Sequence, residues 1–396
     1  MDLIIRNAKL STGEKADIAV NNGRIAIVAG RINESARQEM DAGERLASPG
    51  FVDAHLHVDK ALLLEKVPDT PRPKELKDLW LHCIELNNEL KQNFTVGEVA
   101  SRAERLLKMA AANGTTTIRA QVDVDPIVGL TGLKGVLEAK TKCKDIIDLQ
   151  VVAFPQNGIS NSPGTEDLLR EAIKLGANVV GGLPEIDSDP EKHVDTIFNL
   201  AKESKLPVDM HIDQSYVPQP FVLPYLAGKT LKEDYQGFVV AAHCYGLAAV
   251  PSDLAQRTIE QVKEANVSIL VSPLRMMIPR AREPLDASVN MAIITDNVQD
   301  MWYPFGSADQ LYNALLFAQL TYGFSIQPEE WQRIWNMITV NPSNAIGLEH
   351  SLRPGKPADL VIVDAPSPMW ALIRQSERLY VLKRGRIIAE KGKILN

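Results

Sequence analysis

Four of the seven histidines in this chain, together with one aspartate, stand where they could bind a metal ion. His55 and His57 lie two residues apart in the apolar run GFVDAHLHVD, and His211, His243 and Asp296 stand near the ends of later apolar runs. In a strand, residues two apart face the same side, so both imidazoles of the pair can point to one centre. Imidazole suits Zn or Fe(II), and a carboxylate can complete the set while one position stays open for water. The pattern predicts one divalent metal ion, Zn or Fe, that lowers the pKa of a bound water and supplies hydroxide near neutral pH.

The elements that must position these residues are apolar runs that alternate with longer helical patterns. Eight such runs cover residues 50–59, 115–124, 147–154, 177–184, 207–213, 237–244, 267–273 and 291–297. Alternation of this kind indicates βα units and a parallel sheet. Eight units favour an α/β fold of the (β/α)8 TIM-type barrel class, in which reactive side chains stand at the C-terminal ends of the strands. An open doubly wound sheet is the alternative, but it would more often carry a Gly-rich phosphate loop, and the sequence contains none.

Both ends of the chain are rich in short strand patterns separated by turn residues. The first fifty residues include DLIIRNAKL and DIAVNNGRIAIVA, and the last fifty include PADLVIVDA and RLYVLKRGRIIAEKGKIL. The NNG at 21–23 is typical of a hairpin turn. Neither end has enough residues for a good core, so we expect one small β-sandwich domain from residues 1–49 and 350–396, beside a barrel of residues 50–349. The segment 65–93 fits the eight units least well and is interpreted as an insertion over the barrel mouth.

Composition and charge limit which cellular compartment and which classes of binding partner are expected. The 396 residues carry a net charge of −7 without a basic run, which argues against nucleic acid or an acidic membrane surface as the main partner. Three widely spaced cysteines suggest neither a disulfide framework nor a Cys-type zinc site. The start MDLIIRNAKL lacks a signal-peptide core, and no uncharged apolar stretch of about 18 residues occurs. We therefore expect a cytoplasmic protein with no membrane span.

Several longer motifs coincide with these runs. They are SPGFVDAHLHVDK (48–60), VVAFPQNGI (151–159), HID (211–213), AAHC (241–244) and ITDNVQDMWYPFGSADQL (294–311). Together with the opening DLIIRNAKLS and the closing PGKPADLVIVDA (354–365), they make the sequence resemble the amidohydrolase superfamily over essentially its full length. The resemblance is greatest to the branch that contains cytosine deaminase and N-isopropylammelide amidohydrolase, because FPQNGI and DNVQDMWYPFG occur together.

The resemblance implies roles for individual residues. The residues that resemble the metal ligands are His55, His57, His211 and Asp296. Asp296 would also accept a proton from the attacking water, and His243 would polarise the water or the intermediate. The residues that resemble substrate contacts are Gln156, which matches a glutamine that hydrogen-bonds the pyrimidine ring, and Asn297 and Trp302 of the pocket lining. Lys60 is a further candidate: it could contact an anionic or carbonyl-bearing substrate, or pair with a neighbouring carboxylate.

Two positions depart from the pattern of the relatives. Gln214 stands where cytosine deaminase keeps a glutamate that shuttles a proton to the ring, and Gln121 stands where relatives usually show histidine. A neutral amide can hydrogen-bond but cannot act as general acid or base. In a catalytic role, Gln214 would therefore only orient the substrate. The fourth run, ANVVGGLPEI, contains no lysine of the kind that bridges two metals in binuclear relatives, which favours a single ion.

The expected function is metal-dependent hydrolysis of a C–N bond. The reaction most in keeping with the resemblance is hydrolytic deamination of a small nitrogen heterocycle, such as a cytosine-like pyrimidine, a triazine or a related cyclic amidine. The alternatives are a hydrolase of a cyclic or linear amide, or a metal- and ligand-binding protein that has lost deaminase activity. Homo-oligomers occur in the family, so association between copies of this chain is compatible with the resemblance.

The remaining candidates have weaker patterns. His82, His193 and His350 fall in helical or linker patterns, and we expect surface or capping positions for them. Glu185 follows Pro184 after the fourth run, and we expect it to be a loop charge. Arg275 in LRMMIP (274–279) is a candidate for recognition of a substrate carboxylate or carbonyl group.

Overall fold

The computed structural model describes residues 1–67, 69, 76–214, 220–273 and 280–395. The strands of the N-terminal segment are β1 (Leu3–Leu10), β2 (Lys15–Asn21), β3 (Arg24–Ala29), β4 (Gln38–Asp41) and β5 (Leu46–Pro49). The strands of the central segment are β6 (Phe51–His57), β7 (Thr115–Asp123), β8 (Asp148–Phe154), β9 (Val179–Gly182), β10 (Val208–Ile212), β11 (Val239–His243), β12 (Ser268–Val271) and β13 (Met291–Ile293). The strands of the C-terminal segment are β14 (Leu360–Val363), β15 (Arg378–Lys383), β16 (Arg386–Glu390) and β17 (Lys393–Ile394).

Helices fill most connections between the central strands and continue after them. The helices are α1 (Leu76–Lys91), α2 (Val96–Ala112), α3 (Thr131–Cys143), α4 (Thr165–Leu175), α5 (Pro190–Ser204), α6 (Leu223–Lys232), α7 (Gly246–Ala249), α8 (Ser252–Glu264), α9 (Arg282–Asp286), α10 (Gln310–Thr321), α11 (Pro328–Asn336), α12 (Val340–Ala345) and α13 (Pro368–Arg374). Their ends follow local chemistry: the Thr95 side chain, for example, accepts a hydrogen bond from the Glu98 N–H and caps α2. No helix among the described residues is both long enough and apolar enough to cross a bilayer.

The central strands form one parallel sheet in the order β6 to β13. The sheet closes where Leu56 of β6 bridges Asp296, just beyond β13, in parallel. His57 N–H donates to the Asp296 carbonyl at 2.8 Å, and Asp296 N–H donates to the His55 carbonyl at 3.0 Å. The predicted barrel is thus confirmed, and the alternative of an open sheet is wrong because the first strand bonds to the residue just beyond the last strand.

The terminal segments form a second sheet in the order β17-β16-β15-β14-β5-β1-β2-β3, with β4 paired to β1. The pairing of β14 with β5 is antiparallel and joins the C-terminal strands to the N-terminal ones. The predicted turn between β2 and β3 is present, with Asn22 and Gly23 at φ of 50° and 72°, a left-handed conformation typical of this turn type. The two ends of the chain therefore complete one sheet, as the sequence predicts.

A buried lysine links the two sheets. The ammonium group of Lys383 lies 2.7 Å from a carboxylate oxygen of Asp148, at the start of β8, and 2.6 Å from one of Asp359, beside β14. It also donates to the Thr116 carbonyl at 2.9 Å. A buried ammonium is tolerated only when its charge and its hydrogen-bond donors are satisfied, so this contact fixes the terminal sheet against the N-terminal ends of the barrel strands.

The barrel interior changes from apolar to polar along the strands. The apolar layer consists of Val52, Ala54, Val240, Ala242, Leu270, Ala292 and Ile294, closed by Ala345 and Ile346. In β6, the pairing with β7 shifts register between Asp53 and Leu56, and such bulges re-aim side chains. Ala54 therefore belongs to the apolar layer, while the next residue, His55, already points into the polar end of the barrel.

Candidate active site

Five side chains meet at the C-terminal end of the barrel. The Nε2 atoms of His55 and His57 each lie 3.1 Å from Nε2 of His211. Asp296 Oδ1 lies 3.5 Å from His57 Nε2 and 3.8 Å from His55 Nε2. Ligand atoms of His55, His211, His243 and Asp296 all lie within 4.8 Å of one another. The structure thus brings together all four residues predicted as ligands, and it places His243 with them.

Two of these residues have strained backbones. His243 and Asp296 have φ of 76° and 68°, in the left-handed region that residues other than glycine rarely adopt. Conformations of this kind cost of order 1–3 kcal/mol each and persist where the surroundings enforce them. His243 directly follows Ala242 of the apolar layer, so the left-handed turn re-aims its side chain from the end of β11 into the cluster.

The cluster has the properties of a metal site. Burial, together with the imidazoles of His55, His57 and His243, lowers the pKa of His211 well below its ordinary value. Its ring is therefore neutral, as a metal ligand must be. Ligands held about 2.0–2.1 Å from one zinc ion lie roughly 3–3.5 Å from each other, and the ring nitrogens of the cluster are separated by 3.1 Å. The donor types and their spacing fit a divalent ion.

A buried polar network holds His55. Its Nδ1 lies 3.3 Å from Asp209 Oδ1 and 3.0 Å from Gln121 Nε2. Gln121 also donates to Asp209 Oδ1 at 3.1 Å, and Arg119 donates to Asp209 Oδ2 at 3.1 Å. Burial by itself would raise the pKa of Asp209, but His55 and Arg119 outweigh it and hold that pKa below its ordinary value. An anionic acceptor at Nδ1 leaves Nε2 of His55 free for a metal.

This network also explains Gln121, one of the two positions that depart from the pattern expected from the resemblance. The glutamine is fully buried and its amide contacts both His55 and Asp209. Because Nδ1–H of His55 donates to Asp209, the NH₂ group of Gln121 acts through its own bond to Asp209, the acceptor that orients His55. Sequence reasoning missed Asp209 and Arg119, although alternation in PVDMHID and RAQVD places Asp209 on the face of His211 and Arg119 on the face of Gln121.

Lys60 and Gln156 lie together beside the cluster. The Lys60 ammonium donates to Asp123 Oδ1 and to Gln156 Oε1, each at 2.8 Å. It also stands over the Phe154 ring, 5.5 Å from the centroid, and that ring stacks on His211 at 4.1 Å. The sequence left open whether Lys60 pairs with a carboxylate, and it pairs with Asp123. Because an ammonium has no acceptor, the atom of Gln156 that faces Lys60 must be its oxygen.

Asn297 and Trp302 lie on the loop after β13 and share a partner. Asp300 accepts hydrogen bonds from Asn297 Nδ2 at 2.7 Å and from the backbone N–H groups of Trp302 and Tyr303 at 2.9 Å. Asn297 is buried and Trp302 is half-buried. Burial raises the pKa of Asp300 to about 6, against the pull of these donors. Near pH 7 the carboxylate is ionised, so it is the amide nitrogen of Asn297 that faces it.

Gln214 is buried just beyond β10, and its backbone contacts Glu185. The Gln214 N–H donates to Glu185 Oε1 at 2.9 Å, and the other carboxyl oxygen of Glu185 is also buried. Burial and the nearby Asp213 raise the pKa of Glu185 well above its ordinary value. The expectation of a loop charge is therefore wrong. The short helical turn Pro184–Ile186 directs the Glu185 carboxyl group inward, next to the backbone of Gln214.

A second acidic group adjoins the cluster but does not suit a second metal ion. It consists of His57, Asp59 and Asp123, whose ligand atoms also lie within 4.8 Å of one another. The two oxygens of Asp123 already bind the ammonium groups of Lys60, at 2.8 Å, and Lys91, at 2.9 Å. Two cations at this distance from the same carboxylate disfavour a third.

Other predicted positions differ from expectation. His193 is buried, bonds Asp187 at 2.7 Å and accepts from the Leu183 N–H, so the prediction of a surface position is wrong. His350 is also buried, beside the Thr117 hydroxyl at 3.3 Å. His82 is partly buried on α1. Arg275 lies outside the described residues.

Comparison with known proteins agrees with this geometry. Residues 38–389 match the model of the Amidohydrolase family (Amidohydro_3). The chain belongs to this family. It is 34% identical, over 98% of its length and 97% of the relative, to the N-isopropylammelide isopropyl amidohydrolase of Pseudomonas sp. (strain ADP). The resemblance predicted from the motifs is confirmed.

Solved structures of similar proteins cover the whole fold. One is N-isopropylammelide isopropylaminohydrolase from Burkholderia multivorans ATCC 17616, with a TM-score of 0.89 and 26% identity over 100% of both chains. Another is 5-methylcytosine deaminase from Klebsiella pneumoniae with phosphonocytosine, with a TM-score of 0.90 and 27% identity over 99% of both chains. Both the barrel and the terminal sheet are thus covered by these two structures.

The network around His55 generates a prediction about metal affinity. Asp209→Asn keeps the size of the side chain but removes the negative charge that orients His55. Loss of such a supporting acceptor typically weakens metal binding about 10–100-fold. We expect a weakening of that size, measured by competition between the protein and a chromogenic chelator for Zn²⁺.

A second buried His–Asp pair provides the control. Asp187→Asn removes a carboxylate 2.7 Å from His193, away from the cluster, and we expect it to leave metal affinity unchanged. If Asp209→Asn binds Zn²⁺ as tightly as the unmodified chain, the network does not support the site.

Proposed function

We propose that this protein is a metal-dependent hydrolase that deaminates a small, oxo-bearing nitrogen heterocycle of pyrimidine or triazine type. The observation that carries the proposal is the convergence of three histidines and Asp296 at the barrel end, beside His243 and two oriented amides. The proposed metal ligands are His55, His57, His211 and Asp296. The proposed catalytic residues are His243 and Asp296, with Gln214 orienting the substrate.

A divalent ion held by these ligands would lower the pKa of a bound water and so supply a nucleophile near neutral pH. In the proposed reaction, the water oxygen adds to the ring carbon that bears the amino group. Asp296 accepts each proton of the water in turn and returns one to the ring nitrogen and one to the amine, which leaves as ammonia or an alkylamine when the C–N bond breaks. His243 donates a hydrogen bond to the charge that develops on the attacked carbon's substituents. A neutral Gln214 can hold the ring but cannot deliver a proton to it. General acid–base help is worth about 10²–10⁴ in rate, so loss of one such group slows the chemistry without abolishing it.

The two amides of the site define the edge of the ring they can bind. Gln156 Oε1 is occupied by Lys60, so its NH₂ group is the part left to donate to a substrate. Asn297 Nδ2 is occupied by Asp300, so its oxygen is the part left to accept. Such a pair fits a ring that carries both a carbonyl oxygen and a neighbouring N–H. Oxo-pyrimidines and oxo-triazines have this pattern, and the third N–H of Lys60 can join the same oxygen.

The named activities of similar proteins support ring deamination over the alternatives. They include hydrolysis of N-isopropylammelide and deamination of 5-methylcytosine and of pterin. All three substrates are nitrogen heterocycles. A binding protein without turnover remains the alternative that Gln214 suggests.

Further parts of the proposal rest on sequence and composition. We propose one ion, Zn or Fe, because both oxygens of Asp123 are occupied by ammonium groups. The domain limits, 1–49 with 350–396 and 50–349, keep the predicted values.

A cytoplasmic location agrees with the three free, buried cysteines. The absence of a nucleic-acid partner stays a prediction, and light scattering in solution will test association into homo-oligomers.

Metal analysis combined with a product screen tests the function. Metal-loaded protein is incubated with cytosine, isocytosine, creatinine and ammelide, together with N-alkylated rings and simple amides, and release of ammonia or alkylamine is measured. We expect turnover of an oxo-bearing ring and a loss of about 10²-fold or more in Asp296→Ala. Bound metal without any product would favour the binding protein, and full activity with full metal content in Asp296→Ala would remove this residue from the mechanism.

Gln214→Glu tests whether the glutamine redirects the specificity of the site. The variant restores a titratable group where cytosine deaminase has one, so we expect turnover of cytosine to rise about 10-fold or more. Gln214→Ala is the matched control, since it removes the amide without adding an acid, and we expect no gain. An unchanged rate on cytosine in Gln214→Glu would mean that position 214 does not limit proton delivery.

Asp300 generates a pH prediction. As the pH falls through about 6, the Asp300 carboxyl gains a proton and can donate to Asn297, whose amide then turns its NH₂ group to the substrate. We expect KM for a ring that presents N–H to rise about 10-fold below pH 6. Asp300→Asn should show this high KM throughout pH 5–8, because its NH₂ group imitates the protonated acid.

Asp309→Asn is the control for Asp300, because Asp309 caps α10 on the same loop and pairs with Arg378 instead of Asn297. We expect it to retain the KM of the unmodified chain at each pH. A KM in Asp300→Asn that follows pH as in the unmodified chain would mean that Asp300 does not orient Asn297.

A further inference from the structure

Helix α1 (Leu76–Lys91) contacts three loops at the C-terminal end of the barrel. Asn88 and Asn157 exchange two amide hydrogen bonds, at 3.1 and 3.0 Å. The Cys83 thiol lies 2.9 Å from the Met301 carbonyl. Asn157 adjoins Gln156 and Met301 adjoins Trp302 in the sequence. The helix therefore contacts the residues that directly adjoin Gln156 and Trp302, two of the proposed substrate contacts.

The third contact is a buried ion pair at the last residue of the helix. The Lys91 ammonium lies 2.9 Å from Asp123 Oδ2 and 2.6 Å from Asp125 Oδ2, and all three side chains are fully buried. Burial by itself would lower the pKa of Lys91, but the two carboxylates outweigh it and raise that pKa above its ordinary value. Lys91 is therefore a permanent cation inside the barrel end.

Asp123 transmits this contact to the proposed substrate site. Its second oxygen binds Lys60 at 2.8 Å, and Lys60 in turn holds the oxygen of Gln156 at 2.8 Å. A continuous chain of charge-assisted hydrogen bonds thus runs from Lys91 through Asp123 and Lys60 to Gln156. Such bonds are the stronger ones in proteins and have strict geometry.

Opposite charges alternate along this chain, and the buried carboxyl group of Asp59 lies beside Asp123. Two ammonium groups, Lys60 and Lys91, face two carboxylates, Asp123 and Asp125. Without Lys91, Asp123 would keep Lys60 as its partner, and Asp125 would keep only the backbone N–H donors of Ile127 and Val128. The Lys60 ammonium would then move toward the acids and away from Gln156, and the amide of Gln156 would lose the partner that fixes its orientation.

We propose that α1 is a specificity-determining element of this enzyme, with Lys91 as a positioning residue that holds Lys60 and Gln156 in the arrangement that recognises the ring carbonyl. The proposal rests on the proposed function and identifies the residue that sets its selectivity. Lys91 does not contact the metal cluster, so its removal affects ring binding and leaves the metal in place.

Lys91→Met tests the proposal, because methionine keeps the apolar length of the side chain and removes only the ammonium. The metal-loaded variant is compared with the unmodified chain by calorimetric titration with the preferred ring and with the ring that lacks its carbonyl oxygen. We expect Kd and KM for the preferred ring to rise about 10-fold or more, kcat to change less than 3-fold, and preference for the carbonyl-bearing ring to fall, with zinc content unchanged.

The chain offers a matched control in Lys383. That lysine is also buried between two carboxylates, Asp148 and Asp359, but it lies at the opposite end of the barrel. Lys383→Met should lower the unfolding temperature as Lys91→Met does, yet leave Kd and ring preference unchanged. If Lys91→Met does not fold, Lys91→Met/Asp125→Asn removes one charge of each sign and carries the same expectations for Kd and KM.

The outcomes separate this proposal from the proposed function. Folded Lys91→Met protein with Kd, KM and ring preference within 2-fold of the unmodified chain overturns the role of α1, even if the chain is a deaminase. Ring binding that weakens in Lys91→Met, in a protein that turns no ring over, overturns the proposed function alone. An unmodified chain that binds none of the rings overturns both.

Discussion

The candidate site depends on the hydrogen bonds that close the barrel between its first strand and the residues after its last. His57 and Asp296 bond backbone to backbone, and Asp296 returns a bond to His55. These bonds bring side by side residues that are about 240 positions apart in the sequence. A metal site of this kind cannot form in an open sheet, because the carboxylate and the histidine pair would then stand at opposite edges. Closure therefore decides the chemistry as well as the fold.

Around the cluster, charges are buried only in satisfied networks. Asp209 is held between Arg119 and His55, and Asp123 lies between Lys60 and Lys91. Removing one member would leave an uncompensated buried charge, which is strongly destabilising. The same constraint preorganises the site, because His55, Gln156 and Asn297 each have one polar atom bound to a charged partner.

The sequence predicted the eight strands closely. The run 207–213 contains the observed strand Val208–Ile212, and the run 291–297 contains the strand Met291–Ile293 and the start of the loop after it. Apolar periodicity and length are local properties, so they can be read from the chain directly. The buried carboxyl group of Glu185 and the buried ring of His193 were predicted wrongly. Each is buried because of a partner in another element, and a short polar segment carries no local sign of that partner.

By itself the sequence determined the barrel, the terminal sheet and the identity of the residues that gather at the strand ends, because strand alternation and strand-end position fix where a side chain points. Only the tertiary structure decided which nitrogen or oxygen atom of these polar side chains remains available to bind a substrate. Gln156 and Asn297 are chemically alike in the sequence, yet Lys60 takes the oxygen of one and Asp300 takes the amide nitrogen of the other. That choice follows from a cation beside one amide and an anion beside the other, and it exists only once distant segments of the chain are packed together.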